Sequence, residues 1–366
     1  MTQQKTNLVI SGINLTDGGT LSVYLDCVKE LLDNGYAEKY NIILLVSNKK
    51  IFPKDSRVRY IEFKKSKSNW LYRLYYEYIY FRSFSKKLGV DIWISLHDMT
   101  PNVVANKRYV YCHNPSPFNK MKLSEAKYGW KYYLFSKFYK YLYKINIKKN
   151  TAVIVQQDWI REEFKRMFQI DNVIVARPSI PTVSTPISDE SKDNDNVIFI
   201  APSFPRYFKN FQVVCRAARL LREKGINNFE VIITVDGTEN EYSKELVQEF
   251  GRIKNIVFSG LLPRKELFKV YSKANCLVFM SKLETWGMPI IEFKPTSKPM
   301  ILAELPYTHE TVGDYNDVSF VSVNDYVQLA IQMKKVIDNK KLGSSKLDVP
   351  KWPYASDWDE LFKLIL

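Results

Sequence analysis

The sequence predicts an α/β protein built as two doubly wound parallel sheets, each made of repeated strand–helix units. Three observations carry that expectation. Short apolar runs alternate with amphipathic tracts both before and after residues 178–196, a polar stretch with three prolines and no apolar period. At 366 residues the chain is long enough for two domains of ordinary size. Its 46% hydrophobic and 25% charged residues describe a globular chain and exclude a disordered one. The expected division is an N-terminal domain over 1–180, a linker over 181–196, a C-terminal domain over 197–345 and a tail helix over 346–366.

In the first half, Asn7 to Ser11 is a short apolar strand, followed by the turn Asp17-Gly18-Gly19 and a helix to about Leu32. A second strand is expected over Asn41 to Val46, and others near 58–63, 91–95, 109–112 and 151–155. Two long helical tracts, around 69–88 and 122–147, lie between them, and Asp158 to Phe168 adds another. Beyond the linker the alternation resumes. Strands are expected at 197–201, 229–235, 255–259, 276–280 and 299–303, with helices near 210–224, 240–250, 263–274 and 288–295. Tyr354 to Leu366 reads as a separate amphipathic helix.

The run Cys276 to Met280 reads as a buried strand and leads into Glu284-Thr285-Trp286-Gly287-Met288-Pro289-Ile290-Ile291-Glu292. The glycine marks a turn, and Pro289 suits the start of a helix. One carboxylate therefore lies on each side of a helix start, at the carboxyl end of a strand, where open α/β sheets bind ligands. Free N–H groups there suit a phosphate. Glu292 suits a vicinal diol such as a ribose, and Glu284 whatever lies beyond the phosphates, so the arrangement fits a nucleotide-sugar. The competing reading is a helix start with acidic residues favoured by the dipole.

The pattern E-x-x-G-x-P-x-x-E after a buried strand resembles the motif of family-4 glycosyltransferases, which have the GT-B fold. It matches at Glu284, Gly287, Pro289 and Glu292, with Trp286 where the family usually carries Phe or another apolar residue. The resemblance implies two Rossmann-like domains facing a cleft, with the C-terminal helix crossing back to the N-domain. It also implies a retaining hexosyl or deoxyhexosyl transfer, with Glu284, Gly287, Met288 and Trp286 lining the donor and Glu292 holding its ribose. The donor would be a UDP- or GDP-sugar. The acceptor would be a glycan or polyprenyl-linked oligosaccharide of bacterial surface polysaccharide such as O-antigen or capsule.

Further candidates fall at strand ends. In Pro202 to Asn210, Lys209 stands where the family has a diphosphate-binding Lys, a point-charge clamp. Phe204 occupies the usual place of the partner Arg, so that either Arg206 takes its role from a different position or no residue does. Asp17, Gly18 and Gly19 sit where the family has its Gly-rich loop, and two glycines let a phosphate or acceptor approach the backbone. His113, in His-Asn-Pro-Ser-Pro-Phe, resembles a His that reaches the donor sugar in bacterial polysaccharide transferases. His97-Asp98 is a candidate for the acceptor side, and His309, in a loop after a C-domain strand, for the nucleotide or sugar. Two D-x-D runs, Asp193 to Asp195 and Asp357 to Asp359, lie in the linker and on the tail helix, away from any strand end. No metal or other cofactor is expected.

The net charge of +15 resides entirely in residues 1–150, with 26 basic against 11 acidic side chains, and residues 151–366 sum to zero. The basic tracts Lys64 to Lys87 and Lys120 to Lys149 are rich in Tyr and Trp. Such helices suit an anionic membrane surface, where each lysine contributes about 1 kcal/mol. No apolar run reaches 18 residues and the N-terminus lacks a signal-peptide pattern. The expected location is therefore cytoplasmic, peripheral at the inner face of the plasma membrane. Cys27, Cys112, Cys215 and Cys276 are far apart and read as buried thiols. Two rival functions remain: a GT-B-like nucleotide-sugar epimerase using His97-Asp98 as its acid/base pair, and a non-enzymatic membrane- or RNA-binding protein.

Overall fold

A computed structural model describes residues 5–16, 18–119, 121–178, 196–347 and 349–366. The chain divides into two compact units. The first comprises Met1–Pro117, Phe135–Ile180 and Pro350–Leu366, and the second Phe118–Leu134 and Pro181–Val349. Residues 118–134, expected in the N-terminal domain, thus cluster with the C-terminal unit. Gly129 ends a 3-10 turn over Leu123–Tyr128, and Tyr128 stacks on Tyr207. The tract expected as one helix over 122–147 therefore begins only at Trp130 and runs to Lys144.

The first unit holds β1 (Thr6–Gly12), β2 (Tyr40–Val46), β3 (Val58–Glu62), β4 (Ile92–Ser95), β5 (Lys107–Cys112), β6 (Ala152–Val155) and β7 (Val173–Ala176). The second holds β8 (Val197–Ala201), β9 (Phe229–Ile233), β10 (Ile256–Phe258), β11 (Cys276–Phe279), β12 (Met300–Ala303) and β13 (Val318–Val321). The tail adds β14 (Tyr354–Ala355) to the first sheet, whose order is β14-β7-β6-β5-β4-β1-β2-β3, and the second runs β10-β9-β8-β11-β12-β13. Every pairing is parallel. The inner strands, such as β4, β6, β11 and β12, are correspondingly buried on both faces, as crossover helices require.

In each sheet the order reverses beside the first strand, between β1 and β4 and between β8 and β11. Such a switch point leaves a crevice at the carboxyl ends of the strands. The tail starts with β14 rather than with helix. Its helix, Trp358–Ile365, then buries Trp358, Leu361, Phe362 and Ile365 in the same core cluster as Ile10 and Ile94 of the first sheet. The amphipathic face read in the sequence is the face buried there. Asp357 caps that helix through the Glu360 amide, and Asp359 pairs with Lys363 at 2.5 Å, so this D-x-D run serves the helix. The other D-x-D run lies outside the described residues.

The tract expected as one helix over 69–88 is broken in the middle. Asn69 caps a helix Trp70–Tyr75, a π turn follows over Tyr76–Tyr80, and a helix Phe81–Leu88 ends at left-handed Gly89. The π turn carries Glu77 into the interior. The four cysteines are buried and free. Among the described residues no helix is long and apolar enough to cross a membrane.

Candidate active site

In the C-terminal unit the switch point brings together the loops after β8 and β11. The first makes a 3-10 turn over Tyr207–Lys209 and enters the helix Phe211–Glu223 through Asn210, which is left-handed at φ 62°. The buried Asn210 amide donates to the carbonyls of Met280 (3.2 Å) and Val323 (2.6 Å), tying this loop to the end of β11. The Lys282 amide donates in turn to the Phe208 carbonyl at 2.7 Å. These backbone ties place two side chains that are 75 residues apart in contact: Lys209 Nζ lies 2.5 Å from Glu284 Oε1. Both are largely enclosed, 14% and 15% exposed, and the ammonium also sits over the rings of Phe208 and Phe279. An ammonium has three donors. Glu284 takes one and leaves Lys209 two for another anion.

Gly287 stands at φ 81° before a helix over Met288–Phe293. A Cβ there would be strained by the left-handed backbone and would come within 3.3 Å of both Ile290 and Tyr307, so the position favours glycine. Tyr307 donates from its hydroxyl to the Ser281 carbonyl at 2.8 Å, and Thr311 donates to the Trp286 carbonyl. Together they fix the loop from Ser281 to Gly287. Trp286 is buried and acts as a wall of this loop, and Met288 is half-buried at the helix start. The helix is shorter than the expected 288–295, giving way to a 3-10 turn at Lys294.

Glu292 is on that helix and mostly enclosed. Burial pushes its carboxyl pKa up, opposed by the guanidinium of Arg264, whose Nη2 lies 3.4 Å from Glu292 Oε1. Arg264 begins the helix after β10, and no local pattern in the sequence joins it to Glu292. Arg206 is exposed, with its guanidinium over the rings of Tyr132 (5.0 Å) and Phe204 (6.0 Å). His309 lies on a short helix, Pro306–Val312, rather than in a loop. Its Nε2 is 2.7 Å from Glu304 and its ring stacks on Phe320 at 3.8 Å.

In the N-terminal unit, Gly18 and Gly19 form the first turn of the helix Gly18–Asp33, and a Cβ at Gly19 would meet nothing within 4 Å. Asp17 lies outside the described residues. His113 follows β5, buried. Its amide donates to Asp98 Oδ1 at 2.6 Å and its Nε2 lies 3.1 Å from the Leu96 carbonyl. Since a carbonyl only accepts, Nε2 carries the proton and Nδ1 is left as the acceptor. Burial pulls its pKa down, so the ring is neutral.

His97 and Asp98 depart from the expectation of an acceptor-side pair. His97 is 1% exposed, 3.1 Å from Ser11 Oγ and 3.3 Å from Glu77 Oε1, and burial pulls its pKa well down. Asp98, left-handed at φ 73°, accepts from the amides of His113 and Asn114 and from the hydroxyls of Tyr143 (3.0 Å) and Tyr139 (3.4 Å). It clamps the end of β5 to the end of β4. A carboxylate committed to four donors and a neutral buried imidazole do not form an acid/base pair for an epimerase. Sequence reasoning missed Glu77 and Ser11, the partners of His97, as well as Arg264, Asn210 and Tyr307.

Comparison with known proteins now bears on this geometry. The family Glycosyl transferases group 1 matches residues 185–346. The O-antigen chain mannosyltransferase RfbU of Salmonella typhimurium is 22% identical over 192 residues, 51% of each chain. The O-antigen chain mannosyltransferase B of Escherichia coli is 24% identical over 191 residues, 47% of this chain and 50% of that one. The chain therefore spans about half the length of the curated relatives it matches. Among solved structures, a glycosyltransferase from Rickettsia africae aligns with a TM-score of 0.63 at 17% identity, over 92% of this chain and 89% of that one. TarM gives 0.64 at 13% over 92% and 93%. WaaG, a glycosyltransferase involved in lipopolysaccharide biosynthesis, gives 0.61 at 14% over 90% of each. These likenesses extend the shared fold to both sheets, while the family match covers the unit that pairs Lys209 with Glu284. Residues 185–346 thus match the group 1 glycosyl transferases, and the chain as a whole shares the fold of these solved glycosyltransferase structures.

Proposed function

We propose that the protein is a retaining glycosyltransferase that moves a hexosyl or deoxyhexosyl group from a UDP- or GDP-sugar to a glycan or polyprenyl-linked oligosaccharide of bacterial surface polysaccharide. The observation that carries the reading is the enclosed Lys209–Glu284 pair at the switch point of the second sheet. In this mechanism Lys209 uses its two remaining donors on the diphosphate and stabilises its charge as the glycosidic bond breaks. Glu284 holds Lys209 through Oε1 and offers Oε2 to a sugar hydroxyl. The acceptor hydroxyl attacks from the face the diphosphate leaves, and its proton passes to a phosphate oxygen. His113 orients the sugar with Nδ1 as an acceptor, and Glu292 binds the ribose diol. Charge neutralisation by Lys209 makes the transfer independent of metal. The names of the relatives put a mannosyl group among the first sugars to test.

A thermal-shift screen with UDP, GDP, dTDP and CMP, free and as sugar conjugates, tests the donor assignment. One base is expected to stabilise the wild type by several degrees, with the shift lost in Glu292→Ala. No shift with any nucleotide would remove the basis of the reading.

Membrane contact through the N-terminal unit belongs to the same proposal. Trp70 packs near Phe135, so the two basic tracts lie side by side. Leu71 and Ile79 of one, and Phe138 and Tyr141 of the other, are exposed, with Leu71 at 76% and Phe138 at 60%. Large apolar side chains among lysines suit the boundary of an anionic bilayer. Wild type is expected to co-sediment with phosphatidylglycerol vesicles at low salt and release at high salt. Leu71→Glu with Phe138→Glu should cut the bound fraction at least tenfold, and equal binding by that variant would refute the contact surface.

A further inference from the structure

The segment 118–134 is seated on the loop that carries Lys209. Tyr128 lies flat on Tyr207, centroids 5.0 Å apart at 12°, and both meet Tyr242 edge-on, at 5.5 and 5.9 Å, so the three rings form one cluster. The Tyr128 hydroxyl donates to Glu245 Oε2 at 2.7 Å, and Lys127 Nζ bonds both oxygens of the same carboxylate at 2.8 and 2.9 Å. Glu125 faces Tyr207 and Lys282, and the Lys282 ammonium lies over the Tyr207 ring at 5.4 Å. Tyr132 carries the guanidinium of Arg206. From the other side, Asn240 donates to the Pro205 carbonyl at 2.6 Å and the Tyr242 hydroxyl accepts from the Phe211 amide.

Tyr207 and Lys209 belong to one three-residue turn. Whatever fixes the Tyr207 ring therefore fixes the backbone from which the Lys209 ammonium reaches Glu284. Stacked aromatic pairs contribute about 0.5–1.5 kcal/mol beyond their buried area. A displacement of about 1 Å at a charged clamp has a large effect on how well it meets a diphosphate.

We propose that residues 118–134 form a strap that positions the diphosphate-binding turn, with Tyr128 and Tyr132 as positioning residues for Lys209 and Arg206. The inference rests on the donor-site reading above. A strap of this kind sets affinity for the diphosphate part of the donor and, through the Lys209–Glu284 pair, the rate of transfer.

The test compares nucleoside diphosphate binding, by calorimetry with UDP and with GDP, and donor steady-state kinetics in wild type, Tyr128→Ala, Tyr128→Phe and Glu245→Ala. Tyr128→Ala is expected to weaken the bound nucleotide about tenfold and to lower kcat as well, because the displaced Lys209 also serves the transition state. Tyr128→Phe keeps the stack and is expected within about twofold of wild type. Glu245→Ala lies on the exposed side of its helix and removes both tethers without touching the stack, so it should weaken binding severalfold in a folded protein. Wild-type affinity in both Tyr128→Ala and Glu245→Ala would overturn the strap alone. A wild type that binds neither nucleotide would overturn the donor-site reading and the strap with it.

Discussion

Lys209→Ala is expected to lose two to three orders of magnitude in kcat, about 3–4 kcal/mol of transition-state stabilisation, while the protein stays folded. The size follows from where the ammonium sits. It is enclosed between Glu284 and the rings of Phe208 and Phe279, in surroundings where a charge acts far more strongly than in water. Glu284→Ala should cost a similar factor for a related reason: without the carboxylate, the long lysine side chain is no longer aimed, and one sugar contact is gone. The pair acts as a unit, so Lys209→Ala with Glu284→Ala should be no worse than the poorer single variant. Lys209→Arg should recover little, because a planar fork does not fit a space that holds a compact ammonium. Steady-state kinetics with a labelled donor, run with and without EDTA, checks all four. Turnover should be unchanged by the chelator, and wild-type kcat in Lys209→Ala would end the assignment.

Each member of that pair was legible in the sequence because it lies in a short local pattern, while their contact was not. The strand Cys276–Phe279, the glycine at φ 81° and the proline after it make a loop whose shape is set within a dozen residues. Lys209-Asn210 is similarly local, and the left-handed Asn210 explains why that residue type follows the lysine. Both sheets were legible through their apolar runs, apart from β7, β13 and the two-residue β14, the last read as the start of a helix.

What the sequence concealed depends on partners far away in the chain. A His-Asp pair after a strand reads the same whether it faces a ligand or the interior. Only Glu77, 20 residues earlier, and the four donors around Asp98 settle that it faces inward. The basic aromatic tract 122–147 reads as one helix until the Tyr128–Tyr207 stack shows its first turn bound elsewhere. Arg264 and Glu292 meet from different strand–helix units, a contact no spacing rule anticipates.

Stability of the protein is expected to fall as pH rises from about 6.5 to 8, and Glu77→Gln should remove the fall. Glu77 is fully buried on the π turn, beside His97 and near the charge of Arg73. Burial raises its carboxyl from the ordinary 4.5 to about 8, more than the Arg73 charge can offset. In that range the folded protein keeps a proton that the unfolded chain has released. The stabilisation is therefore full below about 4.5 and is lost progressively until the folded carboxyl itself ionises. His97 acts in the opposite sense. Burial pulls its pKa below the ordinary 6.5, so the unfolded chain gains protons, and the fold loses stability, only as pH drops under that value. Above 6.5 His97 and His113, both lowered by burial, contribute little, and the Glu77 contribution is about 1.4 kcal/mol per pH unit and on the order of 2 kcal/mol across the window. Glutamine keeps the shape of the side chain and cannot ionise. Urea unfolding of both proteins at half-unit pH steps reads the difference directly: a sloping wild type beside a flat variant is the expected pair. Equal slopes would mean that Glu77 is already ionised in the fold, held by Arg73, and that the π turn buries a charge rather than a proton.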